Sequence, residues 1–517
     1  MQLGEEKNPN FLIDEKNYKH HIVAKLGEGG QGAVYSTRDE NVVIKVVIDE
    51  ETQEIIQNEE MYEQFKQTID EVRILNLPED LPIAKPIHML KKPYNGYIMR
   101  LLSNMVPIKT LINGPKTGLS QFYIDTGGLK HRLEILQKAA RILARVHSLP
   151  VVYADISPEN IFISADKDAT EVWFIDADNM RYTIDFKKAI FTPGYGAPEI
   201  VKSTCSNNTL SDVYSFALLA FEVLALQAPF EGELVVNGGG WDTGEAEDSW
   251  DEDTEVEEQD DWDKTPPDDQ QPATNDYYEK AARGEIPWIE DENDNRNFTK
   301  KGIPRNIILS PAIRALFQRT FGAEGRSNPA SRPTMKQWYD VLQQAVDATV
   351  TCKKCTSTFY IGHNTCPFCN EGRDPVFYGQ IYDRYFVKEI VDKINNTDPG
   401  LKIFPEAKLE EESITDEVLY SKVGFKAFDQ TPGVNYFYNV HTDDIFLQDD
   451  VTPMIELKQS SIISIKNLSD RVIEIEDKYE QRTLYKNEIY DCRTLEDVKL
   501  QIPLGELKTR NISFRVI

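Results

Sequence analysis

Four glycines fall within six residues of the run Leu26-Gly27-Glu28-Gly29-Gly30-Gln31-Gly32-Ala33-Val34-Tyr35. A backbone that turns on residues without Cβ can bring its amides against phosphate oxygens, an approach that a side chain would block. Alternating apolar and polar residues from about 18 to 48 predict two or three antiparallel strands around that turn. Read alone, the run is as readily a tight hairpin as a phosphate cradle.

The residues that follow supply a set with one chemical theme. Val42-Val43-Ile44-Lys45 is an apolar strand ending in a lysine. Residues 51–77 read as a helix, because Ile55, Met61, Phe65, Ile69, Val72 and Leu75 recur at three- and four-residue steps. Strand signals surround residues 85–102, helical spacing returns at 131–149, and 211–226 is apolar enough for a buried helix. Two more helices are expected at 311–321 and 334–348, the second with a cap-like Thr334. Between these elements, Tyr153-Ala154-Asp155-Ile156-Ser157-Pro158-Glu159-Asn160 carries an Asp and an Asn five residues apart. Phe174-Ile175-Asp176 then ends an apolar strand with a carboxylate, sixteen residues past Asn160. Thr192-Pro193-Gly194-Tyr195-Gly196-Ala197-Pro198-Glu199, Ser211-Asp212-Val213-Tyr214-Ser215-Phe216 and Arg332-Pro333 complete the order.

The formal charge of -29 over 517 residues argues against nucleic acid or an anionic membrane as a partner. Much of it is local: residues 231–270 hold 17 acidic residues against one lysine, too little apolar surface to order a segment. A disordered acidic insertion is expected at 231–275, as a solubilising linker rather than a dock for a basic partner. No stretch reaches the ~20 apolar residues of a membrane helix, and the polar start lacks a secretory signal, so a cytoplasmic protein is expected.

Six cysteines are too few for a disulfide scaffold, and four form the pairs Cys352-x-x-Cys355 and Cys366-x-x-Cys369. Each pair can wrap two thiolates onto one tetrahedral Zn2+, and four thiolates fill its shell, so the expected ion is structural. His363 lies in the loop but is not needed as a ligand, and Cys205 and Cys492 stand apart as ordinary thiols. Lys353 and Lys354 alone are no basic patch, so an interaction or spacing role is favoured over nucleic-acid binding. Residues 375–517, rich in short alternating runs, read as a small β-rich domain.

Taken in order, these motifs resemble the eukaryotic-type protein kinase family, over residues 18–348. The resemblance implies an α+β bilobal protein-kinase fold: an N-terminal extension at 1–17, a small lobe at about 18–102 and a large lobe at about 103–348. A zinc ribbon at 349–372 and the β-rich domain at 375–517 follow. It implies ATP and Mg2+ as cofactors, with nucleotide contacts at Leu26, Gly27, Gly29, Gly32, Val34, Lys45 and Leu102. Lys45 would hold the α- and β-phosphates and be held by a helix carboxylate, best Glu71, with Glu59 and Glu60 as rivals. Asp155 would orient and deprotonate a substrate hydroxyl, and Asn160 and Asp176 would bind magnesium. Arg332 would pair with Glu199.

Arg283-Gly284-Glu285-Ile286-Pro287-Trp288-Ile289 and Arg314-Ala315-Leu316-Phe317-Gln318-Arg319-Thr320-Phe321 look closest to bacterial Ser/Thr kinases with a zinc ribbon behind the catalytic domain. Similar kinases occur beside a von Willebrand A protein and a PPM-type metal-dependent phosphatase, in tellurite-resistance or stress gene sets, which implies such partners besides the protein substrate.

Three departures qualify the resemblance. Tyr153-Ala154-Asp155 stands for His-Arg-Asp and leaves no arginine to receive a phosphorylated activation loop. Ser157 stands where Ser/Thr kinases have a lysine, and Asp176-Ala177-Asp178 stands for Asp-Phe-Gly. The favoured reading is an active Ser/Thr-type protein kinase. The alternative is a pseudokinase scaffold that binds nucleotide and recruits partners, and a small-molecule phosphotransferase is disfavoured by the match at 192–199.

Overall fold

The structure, a computed structural model, describes residues 9–29, 32–49, 52, 54–115, 117–183, 189–238, 274–386, 418–429, 433–438, 453–505 and 508–517. The chain divides into two compact units, Met1–Leu342 and Gln343–Ile517.

Alternation drives the first sheet: β1 (Phe11–Ile13), β2 (Lys19–Gly29), β3 (Gly32–Thr37), β4 (Val42–Val46), β5 (His88–Met89) and β6 (Gly96–Arg100). They pair antiparallel in the order β1-β2-β3-β4-β6-β5. The sheet therefore begins ahead of residue 18, with Leu12 buried beside Ile44, Leu90 and Ile98. At the glycine-rich turn Gly29 opposes Gly32. Gly32 sits at φ +141°, and a Cβ there would lie 2.2 Å from the Val46 carbonyl oxygen, so the turn closes only on glycine. Gly30 and Gln31 lie outside the described residues.

Helix α1 (Glu59–Arg73) starts where the Asn58 side chain accepts from the amides of Glu60 and Met61, with Glu59 and Glu60 at its positive end. Tyr62, Ile69 and Val72 are buried, and Tyr62 and Ile69 pack with Val43, Met89, Tyr97 and Met99 of the sheet.

The large lobe is helical, as the sequence pattern predicts. Strand β7 (Met105–Pro107) and helix α2 (Leu119–Asp125) lead into α3 (Gly128–Ser148). Four short strands follow: β8 (Val151–Val152), β9 (Ile161–Ser164), β10 (Val172–Phe174) and β11 (Arg181–Tyr182). A short α4 (Pro198–Val201) precedes the apolar α5 (Thr209–Ala225), whose start is fixed by a capping box between Asn208 and Ser211. Aromatic rings surround α5: Phe216 on Trp338 at 5.6 Å, Phe221 on Trp288 at 5.8 Å and Tyr214 on Phe321 at 5.4 Å. Trp288 and Phe321, from the two stretches singled out above, lie 5.7 Å apart. Arg332 binds Glu199 through both terminal guanidinium nitrogens, at 2.7 and 2.8 Å. Of the expected acidic insertion, residues 239–273 lie outside the described residues. Its first residues are helical at Glu233–Val236, where Val235 is fully buried, which corrects the expectation of disorder there; the helix Thr274–Ala282 begins at its far end.

In the second unit, β12 (Thr349–Thr351) and β13 (Thr358–Tyr360) form a hairpin that carries the first cysteine pair. Among the described residues, the strands from Val376 onward form two antiparallel sheets of six and four strands. Alternate residues of both, such as Ile381, Ile512 and Phe514 from one and Leu457 and Ile465 from the other, fill one core. Among the described residues no helix is long and apolar enough to cross a membrane.

Candidate active site and metal centre

Strand β4 turns Val43 and Lys45 to one face, and Lys45 is only 5% exposed. A buried ammonium needs counter-charge. It finds two carboxylates, Asp178 Oδ2 at 2.9 Å and Asp176 Oδ1 at 3.1 Å. Both lie just past β10, where Asp176 turns the chain at φ +53° into a single 3-10 turn at Ala177–Asn179. Tyr97 sends its hydroxyl to Asp178 Oδ2 at 3.3 Å, while Asp178 Oδ1 is buried with no hydrogen-bond partner. Burial works against the Lys45 charge, but the carboxylates of Asp178 and Asp176 outweigh it and hold its pKa above the ordinary lysine value. Burial likewise raises Asp176, with Lys45 opposing.

The helix carboxylate expected on Lys45 is not there. Glu71 accepts from Gln67 Nε2 at 3.3 Å and lines a surface depression with Glu63, Lys66, Asp70 and Ile74. Helix α1 turns Tyr62, Ile69 and Val72 inward, so Glu71 falls off that face, and Asp178 supplies the charge instead. Glu59 and Glu60 sit at the helix start and are exposed.

The loop after β8 supplies the next two residues. Asp155 accepts from Thr192 Oγ1 at 2.7 Å and from Asn160 Nδ2 at 3.1 Å. Asn160 also binds the Asp155 carbonyl at 2.9 Å, and its own carbonyl accepts from the Ile175 amide at 3.0 Å, next to Asp176. Burial pushes the Asp155 carboxyl above the ordinary carboxylate value, although the bonds from Thr192 and Asn160 pull it down. Lys45, Asp155, Asn160 and Asp176 thus share one chain of contacts. Val34 pairs with Lys45 across β3 and β4, and Gly27 pairs with Val34 across β2 and β3. Leu26 is exposed on β2, and Leu102 is half-buried in the segment leaving β6.

Sequence reasoning gave no role to three residues that shape this site. Asp212, 2% exposed at the start of α5, accepts from the amides of Tyr153 at 2.8 Å and Ala154 at 3.0 Å. The Tyr153 hydroxyl donates to the Ile175 carbonyl, tying the loop to the strand that ends at Asp176. Thr192 caps Asp155 as described. An acid inside an apolar helix run was the available signal for Asp212, since such a carboxylate needs donors.

Oxygen ligands suit magnesium. Asp176, Asn160 and the unpartnered Asp178 Oδ1 fit that donor set.

In the second unit the four sulfur atoms of Cys352, Cys355, Cys366 and Cys369 lie within 4.8 Å of one another. Cys352 to Cys369 and Cys355 to Cys366 are each 3.6 Å apart, near the ~3.8 Å edge of a tetrahedron with 2.3 Å zinc–sulfur bonds. Both pairs end in the same turn: Thr356 and Asn370, each directly after a second cysteine, have φ +60° and +57°.

Two lobes with a strand lysine, a loop Asp-Asn pair and a strand-end aspartate between them define the protein-kinase class of fold. The chain belongs to that family, for the family described as "Protein kinase domain" matches residues 20–339. It is similar to serine/threonine-protein kinase pkn2 of Myxococcus xanthus, at 25% identity over 238 residues, covering 44% of this chain and 27% of that protein. It is similar to serine/threonine-protein kinase PknD of Chlamydia felis at 22% identity, covering 42% of this chain and 25% of that one. PknA of Mycobacterium tuberculosis matches at 23%, covering 42% and 48%. The chain thus spans about a quarter to a half of the length of these curated relatives. A crystal structure of a Toxoplasma gondii rhoptry antigen kinase domain matches with a TM-score of 0.42 and 12% identity, over 66% of this chain and 87% of that one. That likeness is too distant to argue from.

Two outcomes are expected. In nucleotide-free, magnesium-free protein, Asp178→Asn removes the largest charge that raises Lys45, so burial lowers its pKa and more neutral amine is present at pH 8. Lys45 should then react with an amine-directed ester faster than in the wild type, read by peptide mass spectrometry, while Glu71→Gln leaves the rate unchanged. Native mass spectrometry should find one zinc ion per chain, and Cys366→Ser should lose it. Protein that holds no zinc and shows disulfides between these cysteines would contradict the metal centre.

Proposed function

We propose that this chain is a protein kinase that transfers the γ-phosphoryl group of Mg-ATP to Ser or Thr hydroxyls of a partner protein, and to itself. The observation that carries the reading is the charge at the site. Among the described residues one cation, Lys45, faces Asp176 and Asp178, with Asp155 next in the contact chain, so three negative charges stand against one positive, a net of two negative. A divalent cation neutralises that excess, and hard oxygen ligands favour magnesium.

A magnesium ion there would supply charge to offset that developing on the transferring phosphoryl group. Asp176 and Asn160 would hold it, and Asp178 would keep Lys45 in place. Lys45 neutralises the α- and β-phosphates. Asp155 orients the substrate hydroxyl; as the new oxygen–phosphorus bond forms and the bond to the ADP oxygen breaks, it takes the hydroxyl proton. Its raised pKa suits that task. The glycine hairpin and Leu26, Val34 and Leu102 enclose the nucleotide.

The family match and the Ser/Thr-kinase names of the relatives support turnover over a nucleotide-binding scaffold. Ser157, 1% exposed, adds no cation, so turnover is slower than in kinases with a lysine there. We further propose that the four thiolates hold a structural Zn2+, which suits a reducing cytoplasm, and that the zinc ribbon and β-rich unit engage partners. The resemblance at 283–289 and 314–321 favours, as those partners, a von Willebrand A protein and a PPM-type phosphatase, in bacterial stress signalling.

Incubation with γ-labelled ATP and magnesium should label the protein on serine or threonine, and Asp155→Asn should cut the rate by about two to four orders of magnitude. Nucleotide binding without label in either protein would instead establish the scaffold reading.

A further inference from the structure

Protein kinases without a cation before the catalytic aspartate cannot hold a phosphorylated activation segment in the usual way, because a phosphate needs arginine or lysine donors. Here that position is Ala154, and something else must fix the segment. Asn207, 5% exposed and one residue ahead of the Asn208 cap of α5, occupies the junction. Its Nδ2 donates to the carbonyls of Ile190 at 2.7 Å and Ala154 at 3.2 Å. Its Oδ1 accepts from the Ile190 amide at 2.8 Å and from Arg181 Nη2 at 2.6 Å.

All four hydrogen-bonding functions of one carboxamide are thereby used. Their pattern admits one orientation only, since reversing the amide would set its NH2 against an amide and a guanidinium. The three partners matter. Ala154 precedes Asp155; Arg181 begins β11, which pairs with Val152 of β8; Ile190 lies two residues before Thr192, whose hydroxyl caps Asp155. Arg181, 5% exposed, is already engaged by the carboxamide.

We infer that Asn207 is a positioning residue that fixes the activation segment against the catalytic loop in place of a phosphate, so that transfer needs no phosphorylation of that segment. This rests on the kinase reading above. Asn207 touches neither nucleotide nor metal ligands, so its loss falls on kcat and leaves the KM for ATP in place.

The test uses the full chain treated with phosphatase and verified as unphosphorylated by intact mass, alongside Asn207→Ala and the isosteric Asn207→Asp. Asn207→Asp keeps an acceptor for Arg181 and the Ile190 amide, but sets oxygen against the carbonyls of Ala154 and Ile190. Initial rates are measured with hydrogen exchange at the Ile190 amide. Treated and untreated wild type should show equal initial rates. Each variant should lose about tenfold or more in kcat, as for two or more lost hydrogen bonds, with the KM for ATP within about twofold, and Ile190 should exchange faster. A wild type that is active only when phosphorylated within residues 182–196 overturns the inference. So do variants with unchanged Ile190 exchange and kcat. Should wild type transfer no phosphate under either condition, the kinase reading fails, and Ile190 exchange in the variants still decides whether Asn207 fixes the segment.

Discussion

The carboxylate of Asp212 lies inside the large lobe, where water cannot solvate it, and an ion in that setting persists only if donors are brought to it. Those donors are the backbone amides of Tyr153 and Ala154, and His147 Nε2 lies 3.1 Å from the oxygen that accepts from Tyr153. Packing α5 into the aromatic core therefore also dictates the path of the loop that ends in Asp155. Ala154 is held at φ +76°, a conformation that costs a non-glycine residue on the order of 1 kcal/mol. From that anchored loop the rest follows: Asn160 binds Asp155, Ile175 binds Asn160, and Asp176 is delivered to Lys45.

The second constraint is electrostatic. With Asp178 where the family has glycine, the partner of Lys45 lies on the turn after β10 rather than on a helix. In kinases whose lysine is held by a helix glutamate, the position of that helix controls the site. Here Lys45 and its two carboxylates belong to β4 and the turn after β10, and Tyr97 from β6 closes the group. Helix α1 contributes packing through Tyr62, Ile69 and Val72 but no charge to the lysine. The same logic extends to the activation segment, where the neutral carboxamide of Asn207 does the work of an ion pair.

Much of this was legible in the residues. The ordered motifs led to the bilobal fold, and the two Cys-x-x-Cys pairs led to a cluster whose sulfur spacing suits one ion. What escaped was decided by three-dimensional neighbours. Glu71 and Asp178 are both acids at credible separations from Lys45, and only the rotation of α1 chooses between them. Asn207 looks in sequence like an ordinary residue near a helix cap. The three-residue strand Phe11–Ile13 is too short for alternation to register, although Leu12 joins the core. The β-rich unit was readable as strands because Ile and Leu alternate along them, but which strand pairs with which depends on contacts far apart in the chain, such as Val376–Phe386 with Lys508–Val516.

The central claim is that Asp176 holds the metal that makes phosphoryl transfer work, while Lys45, itself held by Asp178, neutralises the phosphates. Single-turnover transfer of the γ-phosphoryl group, measured by rapid quench in wild type and Asp176→Asn at saturating magnesium and ATP, tests it most directly. The account predicts that the variant still binds ATP in the absence of magnesium but transfers no detectable phosphate on the wild-type timescale. Transfer by the variant at the wild-type rate would contradict it.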